Sequence, residues 1–415
     1  HASRRIVVTG VGSVSPYGWG VEPFWKGLCS GHSGLGALEL LGEAGFPGRI
    51  AGEVPEASAE LAASFSGWSR LSRTDRFALA ASSEAIREAA LPTQELRAAS
   101  VFFSSSTGGM LETEEFYCRR AGRLPGRPGL HQLRSQLLSA PAEVVARTFG
   151  TTSEVQTVSS ACASGALAVG MAWDSIRRGD CDVALAGGAD ALCRTTYGGF
   201  DSLESISDGR TRPFCRERNG LSLGEGAATL VLETYDRALE RGVEPLVEVL
   251  GYAATADAHH MTAPHPEGDG AVRALEQALA EADVSPIDIS FVCAHGTGTD
   301  HNDRAESAAL RRVFGVALDR LPVTATKATV GHLLGSAGAI EAVATVLMLR
   351  HAQVHPTPID GTPDPELGID LVAGECRPLE SGAIGVSLNL AFGGSNAALV
   401  LARASGSRPS YCQPS

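Results

Sequence analysis

The chain has 415 residues, 44% of them hydrophobic and 20% charged, with 48 glycines, which excludes a small single module, a disordered chain and a fibrous repeat. Thirty-four basic against 47 acidic residues give a net charge of −13, which disfavours sequence-independent binding to nucleic acid and to anionic membranes. No stretch reaches the roughly 18 apolar residues of a membrane span, and the longest, Gly165 to Trp173 and Ala342 to Leu349, suit buried helices.

His1-Ala2-Ser3 shows none of the features of a secretion signal, and the nine cysteines are odd in number with no CxxC pair. A reduced, cytoplasmic protein with neither a disulfide framework nor a zinc site is expected. Ile6 to Thr9 predicts a strand that ends in a glycine turn, Gly10-Val11-Gly12, before a helix over Val21 to Gly27. Gly34 to Ser69 is rich in Gly, Ala, Ser and Pro without a period and reads as irregular surface with short helices. Asp75 to Ala90 has helical spacing, and Leu91-Pro92 stops it before a strand at Val101 to Phe103.

Two later stretches resemble each other. A helix opening at Ser164-Gly165-Ala166 runs to Arg178-Gly179 and is followed by a strand at Val183 to Ala186; another opening at Ala337-Gly338-Ala339 runs to His351 and precedes a strand at Ile384 to Leu388. Both helices are apolar on most faces, as expected for helices buried between layers. The expected fold class is therefore α/β with two duplicated halves, 1–240 and 241–404, joined between Thr234 and Pro245, and a flexible tail over 405–415.

Cys162 lies between a predicted strand, Val155 to Val158, and the first buried helix. Unpaired N–H groups at a helix start favour a thiolate, although such a cysteine taken alone is more often a small core residue. Companions decide. His295 follows the apolar stretch Ile289 to Cys293 in the glycine-rich His295-Gly296-Thr297-Gly298-Thr299, and Lys327 and His332 sit in a loop just before the second buried helix. Asp257, His259, His260 and His265 match no standard ligand spacing, so no metal is assigned.

These motifs, with Asp190 after Gly187-Gly188, Arg212-Pro213-Phe214, Gly224-Glu225-Gly226, Asp257-Ala258-His259-His260-Met261-Thr262 and Phe392-Gly393-Gly394-Ser395-Asn396, resemble the β-ketoacyl-acyl-carrier-protein synthases over about Arg5 to Ala402. These are elongating condensing enzymes of the thiolase fold, a layered α/β/α/β/α sandwich. The resemblance implies decarboxylative condensation of malonyl carrier protein with an acyl chain held on Cys162. It implies His295 and His332 as enolate donors, Lys327 paired with Glu306 as their support, and an oxyanion hole from the N–H groups of Cys162 and Phe392. It also implies Thr262, Thr297 and Thr299 along the phosphopantetheine arm, Thr107, Ala391 and Phe392 as the acyl-pocket gate, and Arg70, Arg73 and Arg76 as the docking cluster for an acidic acyl carrier protein. No cofactor is expected beyond the carrier's phosphopantetheine, and a homodimer, or a heterodimer with a related subunit, is expected through the apolar strand after Ser153.

Cys215, Asn219, Ala391 and Thr107 depart from the commonest family pattern; the departures touch substrate choice and lean towards a polyketide or polyene pathway over housekeeping fatty-acid elongation. A thiolase is disfavoured because the late Cys376 lacks the matching context, and a non-catalytic partner subunit because Cys162 is present.

Overall fold

The first strand, β1 (Ile6–Ser15), is ten residues long, buried throughout, and runs straight through Gly10 and Gly12, where a turn was expected. The cause is a helix, α1 (Arg73–Glu88), capped by the Ser72 hydroxyl and lying across the strand. A Cβ on Gly10 would sit 2.2 Å from the Ala85 carbonyl, and one on Gly12 would sit 2.0 Å from that of Ala81. These glycines let helix and sheet approach closely; they do not end the strand. The computed structural model describes residues 4–42, 46 and 49–404, so His1 to Ser3 and the tail 405–415 lie outside the described residues.

The remaining elements that place the site follow in order: β2 (Ser100–Ser104), β3 (Val155–Val158), α2 (Ser164–Arg178), β4 (Val183–Asp190) and β5 (Gly226–Thr234). After a short helix, Tyr235–Glu240, come β6 (Val247–Ala256), α3 (Asp269–Ala282), β7 (Phe291–Cys293), α4 (Asp300–Phe314) and β8 (Pro322–Thr324). Last are α5 (Ala337–His351), β9 (Asp370–Leu371), β10 (Ile384–Leu390) and β11 (Ser395–Arg403).

The duplication is written in the strand order. From β1 outward the neighbours are β5, β4, β2 and β3, joined antiparallel, antiparallel, parallel and parallel. From β6 outward they are β11, β10, β7 and β8 with the same sequence of pairings, and β9 is added at the edge. Even the irregularity repeats: the register shifts at Gly10 in β1 and at Gly251 in β6. Gly251 in turn lies against α3, where a Cβ would meet the Ala278 carbonyl at 2.4 Å. Strands β1 and β6 pair through Val7 with Glu248 and Val8 with Val247, which makes one mixed sheet of 12 strands.

Three apolar clusters separate the layers. One lies between α1, the helix Ala140–Phe149 and the first set of strands; another lies between the second set and α3 with α4. The third packs α2 and α5 between the two sets. In α5, Ala337 to Leu349 are all buried, which explains an apolar character with no polar face. The two helices meet at their starts through reciprocal glycines: a Cβ on Gly165 would be 2.4 Å from the Ala339 nitrogen, and one on Gly338 would be 2.5 Å from that of Ala166. No described helix is long and apolar enough to cross a membrane.

Candidate active site

Cys162 stands two residues before α2, on a turn in which Ala161 takes the left-handed φ of 47°. The Ser164 hydroxyl holds this turn, donating to the Ala161 carbonyl at 2.6 Å and accepting from the Ser160 N–H at 2.6 Å. The thiol is 6% exposed, and burial pushes it up to about 11, against the nearby Lys327 charge and the N–H groups of Phe392 and Cys162 that aim at its sulfur. The helix start therefore does not give the resting thiolate expected from the sequence; desolvation outweighs it.

His295 and His332 close the site. Their rings stand perpendicular with centroids 5.6 Å apart, and the Cys162 sulfur and one nitrogen of each ring lie within 4.8 Å of one another. Burial, reinforced by Lys327, holds both imidazoles well below their ordinary value, hence neutral. Their tautomers follow from their partners. The Leu334 N–H donates to His332 Nδ1 at 3.0 Å, so the ring proton is on Nε2. Lys327 Nζ lies 3.0 Å from His295 Nδ1, 2.7 Å from the His295 carbonyl and 2.5 Å from Glu341 Oε1. These three acceptors use the three protons of an ammonium, which again leaves the His295 proton on Nε2. Two Nε2–H donors therefore serve the site with no lone pair free to act as a base.

Lys327 is not paired with Glu306. Its carboxylate partner is Glu341 of α5, 1% exposed and held on its other oxygen by Asn389. Glu306 instead takes the backbone N–H of His295 at 2.6 Å and of Gly296 at 2.8 Å, because α4 runs behind the histidine loop and presents its acids to the loop's N–H groups. Asp303, one turn earlier, takes the N–H groups of Phe214 at 2.7 Å and Gly298 at 3.2 Å. Burial pushes Asp303 up to about 6 and Glu306 up to about 8. Gly296 and Gly298, with φ of 43° and 77°, allow the loop to fold over these carboxylates. Sequence reasoning missed Glu341, Asn389 and Asp303; the signal for Glu341 was a lone acid inside an apolar helix.

A cleft of about 610 Å³, open at its mouth, is lined by Cys162, both histidines, Ala391 and Phe392, and by Thr262, Thr297 and Thr299. The expected threonines therefore face the path to the sulfur. Phe392 leans on Phe200 with ring centroids 5.6 Å apart. Its loop is tied down by Gly393 N–H to the Met261 carbonyl at 2.7 Å, by the Ser160 hydroxyl to that of Ser395 at 2.7 Å, and by Asp257, which accepts from Asn396 at 2.7 Å. Asp257 thus acts as a loop staple. Among the described residues, the cysteine and histidine donors that come together are Cys162, His295 and His332, not the Asp257 to His265 stretch.

Two expectations are corrected. Thr107 is buried and absent from the cleft wall: its hydroxyl and N–H both donate to Asp190, at 2.7 and 2.8 Å. The three arginines form no docking patch. Arg73 is 11% exposed at its side chain and makes a bidentate pair with the fully buried Glu225, and Arg76 folds back onto the Trp68 carbonyl, which leaves Arg70 exposed. A buried acid needed a cation, and the first turn of α1 supplied it.

Residues 3–238 match the N-terminal domain of β-ketoacyl synthases and residues 246–359 match the C-terminal domain. The 3-oxoacyl-[acyl-carrier-protein] synthase 2 of Synechocystis sp. is 34% identical, over 95% of this chain and 97% of its own. Among solved structures, the ishigamide ketosynthase/chain length factor is similar with a TM-score of 0.90 and 35% identity, over 97% of this chain and 100% of that one. A ketosynthase solved with its type II PKS acyl-carrier protein and bound to the hexaketide gives 0.87 and 31%, over 97% and 100%. A buried thiol, two neutral imidazoles donating through Nε2 and two N–H groups on one sulfur are what joining two acyl units requires, and with these matches the chain belongs to the β-ketoacyl synthases, acyltransferases that form carbon–carbon bonds.

Proposed function

We propose that the chain is the catalytic ketosynthase of a type II polyketide or polyene pathway, taking both substrates from an acyl carrier protein and working with a related subunit of chain-length-factor type. The observation that carries the reaction is the convergence of the Cys162 sulfur with one ring nitrogen of each of His295 and His332, whose Nδ1 atoms are held by Lys327 and by the Leu334 N–H. Likeness to the ishigamide ketosynthase/chain length factor supports the pathway and the partner. Likeness to the Synechocystis 3-oxoacyl-[acyl-carrier-protein] synthase 2 supports the second reading, fatty-acid elongation.

In the first half-reaction Cys162 attacks an acyl thioester, and its proton leaves with the departing carrier thiol. Malonyl carrier protein then enters past Thr262, Thr297 and Thr299. Loss of carbon dioxide sends the electron pair of the broken bond into the thioester carbonyl, and the enolate oxygen is met by the Nε2–H groups of His295 and His332. Lys327 keeps the rings neutral and oriented, so the donors need neither a proton transfer nor, in this proposal, a metal or resident cofactor. The carbanion attacks the acyl carbon on Cys162. The tetrahedral oxyanion is held by the N–H groups of Cys162 and Phe392, and its collapse returns the sulfur, which takes one proton from solvent.

Intact-mass analysis after incubation with carrier proteins bearing saturated and polyunsaturated chains tests the reading. Acylation of Cys162, followed by extension on addition of malonyl carrier protein, is expected, with polyunsaturated or polyketide chains preferred. An unacylated chain would remove the reaction; equal kcat/KM for all acyl types would return fatty-acid elongation to first place.

A further inference from the structure

We infer that Asn302 is a substrate-binding residue whose side-chain oxygen accepts an amide N–H of the pantetheine arm, an inference that rests on the condensing reading above. Asn302 lies in the first turn of α4, is 8% exposed, and lines the cleft beside Thr297, Thr299 and His301. Its orientation is fixed by its neighbours. One end of the amide faces Asp303 Oδ1 at 3.1 Å and Glu306 Oε2 at 3.3 Å. The Asn302 Nδ2 donates to both oxygens, so the NH₂ group is the end turned to the acids and the carbonyl is the end left for the cleft that Asn302 lines.

That carbonyl is an acceptor without a hydrogen, whereas the threonine hydroxyls around it donate or accept. It therefore selects N–H groups over ester or ether oxygens. One of the Thr297 and Thr299 hydroxyls donates to the other at 2.9 Å, which leaves one hydroxyl proton of the pair for the arm. A pantetheine arm carries two secondary amides, each with one N–H that loses its water on entering a narrow cleft and needs a partner there. The two acids on the far side matter too. Donating its NH₂ hydrogens to two carboxyl oxygens polarises the amide and makes its oxygen a stronger acceptor. The same carboxylates hold the backbone of His295, Gly296 and Gly298, so Asn302 ties the arm to the loop that positions the enolate donor.

The test uses malonyl-pantetheine and two analogues in which one or other amide N–H is replaced by an ester oxygen, on the full-length protein and on Asn302→Ala and Asn302→Leu. The expected result is that the native protein shows a KM higher by about 3- to 10-fold for one of the two esters, the range of a single hydrogen bond. In both variants that discrimination falls to near unity, with kcat on the amide substrate changed less than KM. Acylation of Cys162, read by mass, confirms that each variant is folded and separates this proposal from the reaction itself: loss of all condensation by the native protein would fail the reaction. Absence of ester discrimination in a native protein that condenses, or discrimination that survives in folded variants, would overturn the role of Asn302.

Discussion

Cys162 is a buried thiol with a raised pKa, and its reactivity should follow its ionisation. Its iodoacetamide modification is expected to quicken about tenfold per pH unit from about pH 7 to pH 10, because the thiolate fraction grows in that proportion below a pKa of about 11. Lys327→Met removes a nearby cation that holds the thiol down, so the rate should drop at every pH in that range; a flat profile below pH 8 would show a thiolate already present. His295→Ala and His332→Ala are each expected to lower condensation by about 10²-fold or more while Cys162 still takes up an acyl group, since the Nε2–H donors act only on the enolate. Stopped-flow condensation and single-turnover acylation, measured separately, check this. Glu341→Leu leaves Lys327 buried without its carboxylate and should cost about 3–5 kcal/mol in urea unfolding, a larger loss than for an exposed pair such as Lys26 with Glu22. The sequence made Cys162, His295, Lys327 and His332 legible because each sits where a predicted strand or loop meets a predicted helix, His295 and His332 directly beside a glycine. It misassigned the acid beside Lys327: Glu306 and Glu341 are distinguished only by which buried face each helix turns to the lysine. It also read Arg73 as a surface cation, since its partner Glu225 lies 152 positions away in sequence.

At the scale of the elements, α2 and α5 were readable from their unbroken apolar character, and β4 and β10 from their position after them. The glycine pair in β1 misled because Gly10 and Gly12 give the same local signal whether the chain turns or a helix packs against it; only the approach of α1 decides. Gly251 repeats the arrangement under α3. Gly10→Ala and Gly251→Ala are each expected to destabilise the fold by about 1–3 kcal/mol or more, since a methyl group at either site overlaps a helix carbonyl. Gly36→Ala, where a Cβ meets nothing, is the matched control. Chemical denaturation of the three variants checks this; equal midpoints would show that the helices move aside without cost.

For the whole molecule, β3 ends the first set of strands with its ladder unpaired on one side, and Val155 is 39% exposed there. An open edge of this kind calls for a partner strand. Light scattering at micromolar concentration should give about twice the mass of one chain, either alone or only after co-expression with a related subunit, and a mass of one chain under both conditions would refute the pairing. The meeting of Gly165 with Gly338 has a further consequence. These glycines mark the point where the two halves of matching strand order face each other, and there the halves divide the labour: one helix start carries the sulfur, while the segment leading into the other carries an imidazole and the ammonium that orients its neighbour. Neither unit holds a complete chemistry, so a chain cut between Thr234 and Pro245 should yield two inert fragments that regain condensation only when mixed. The internal axis thereby acts as a built-in requirement for assembly, and a methyl group at Gly165 or Gly338 would disable the reaction by parting the two units, with every reacting group still present.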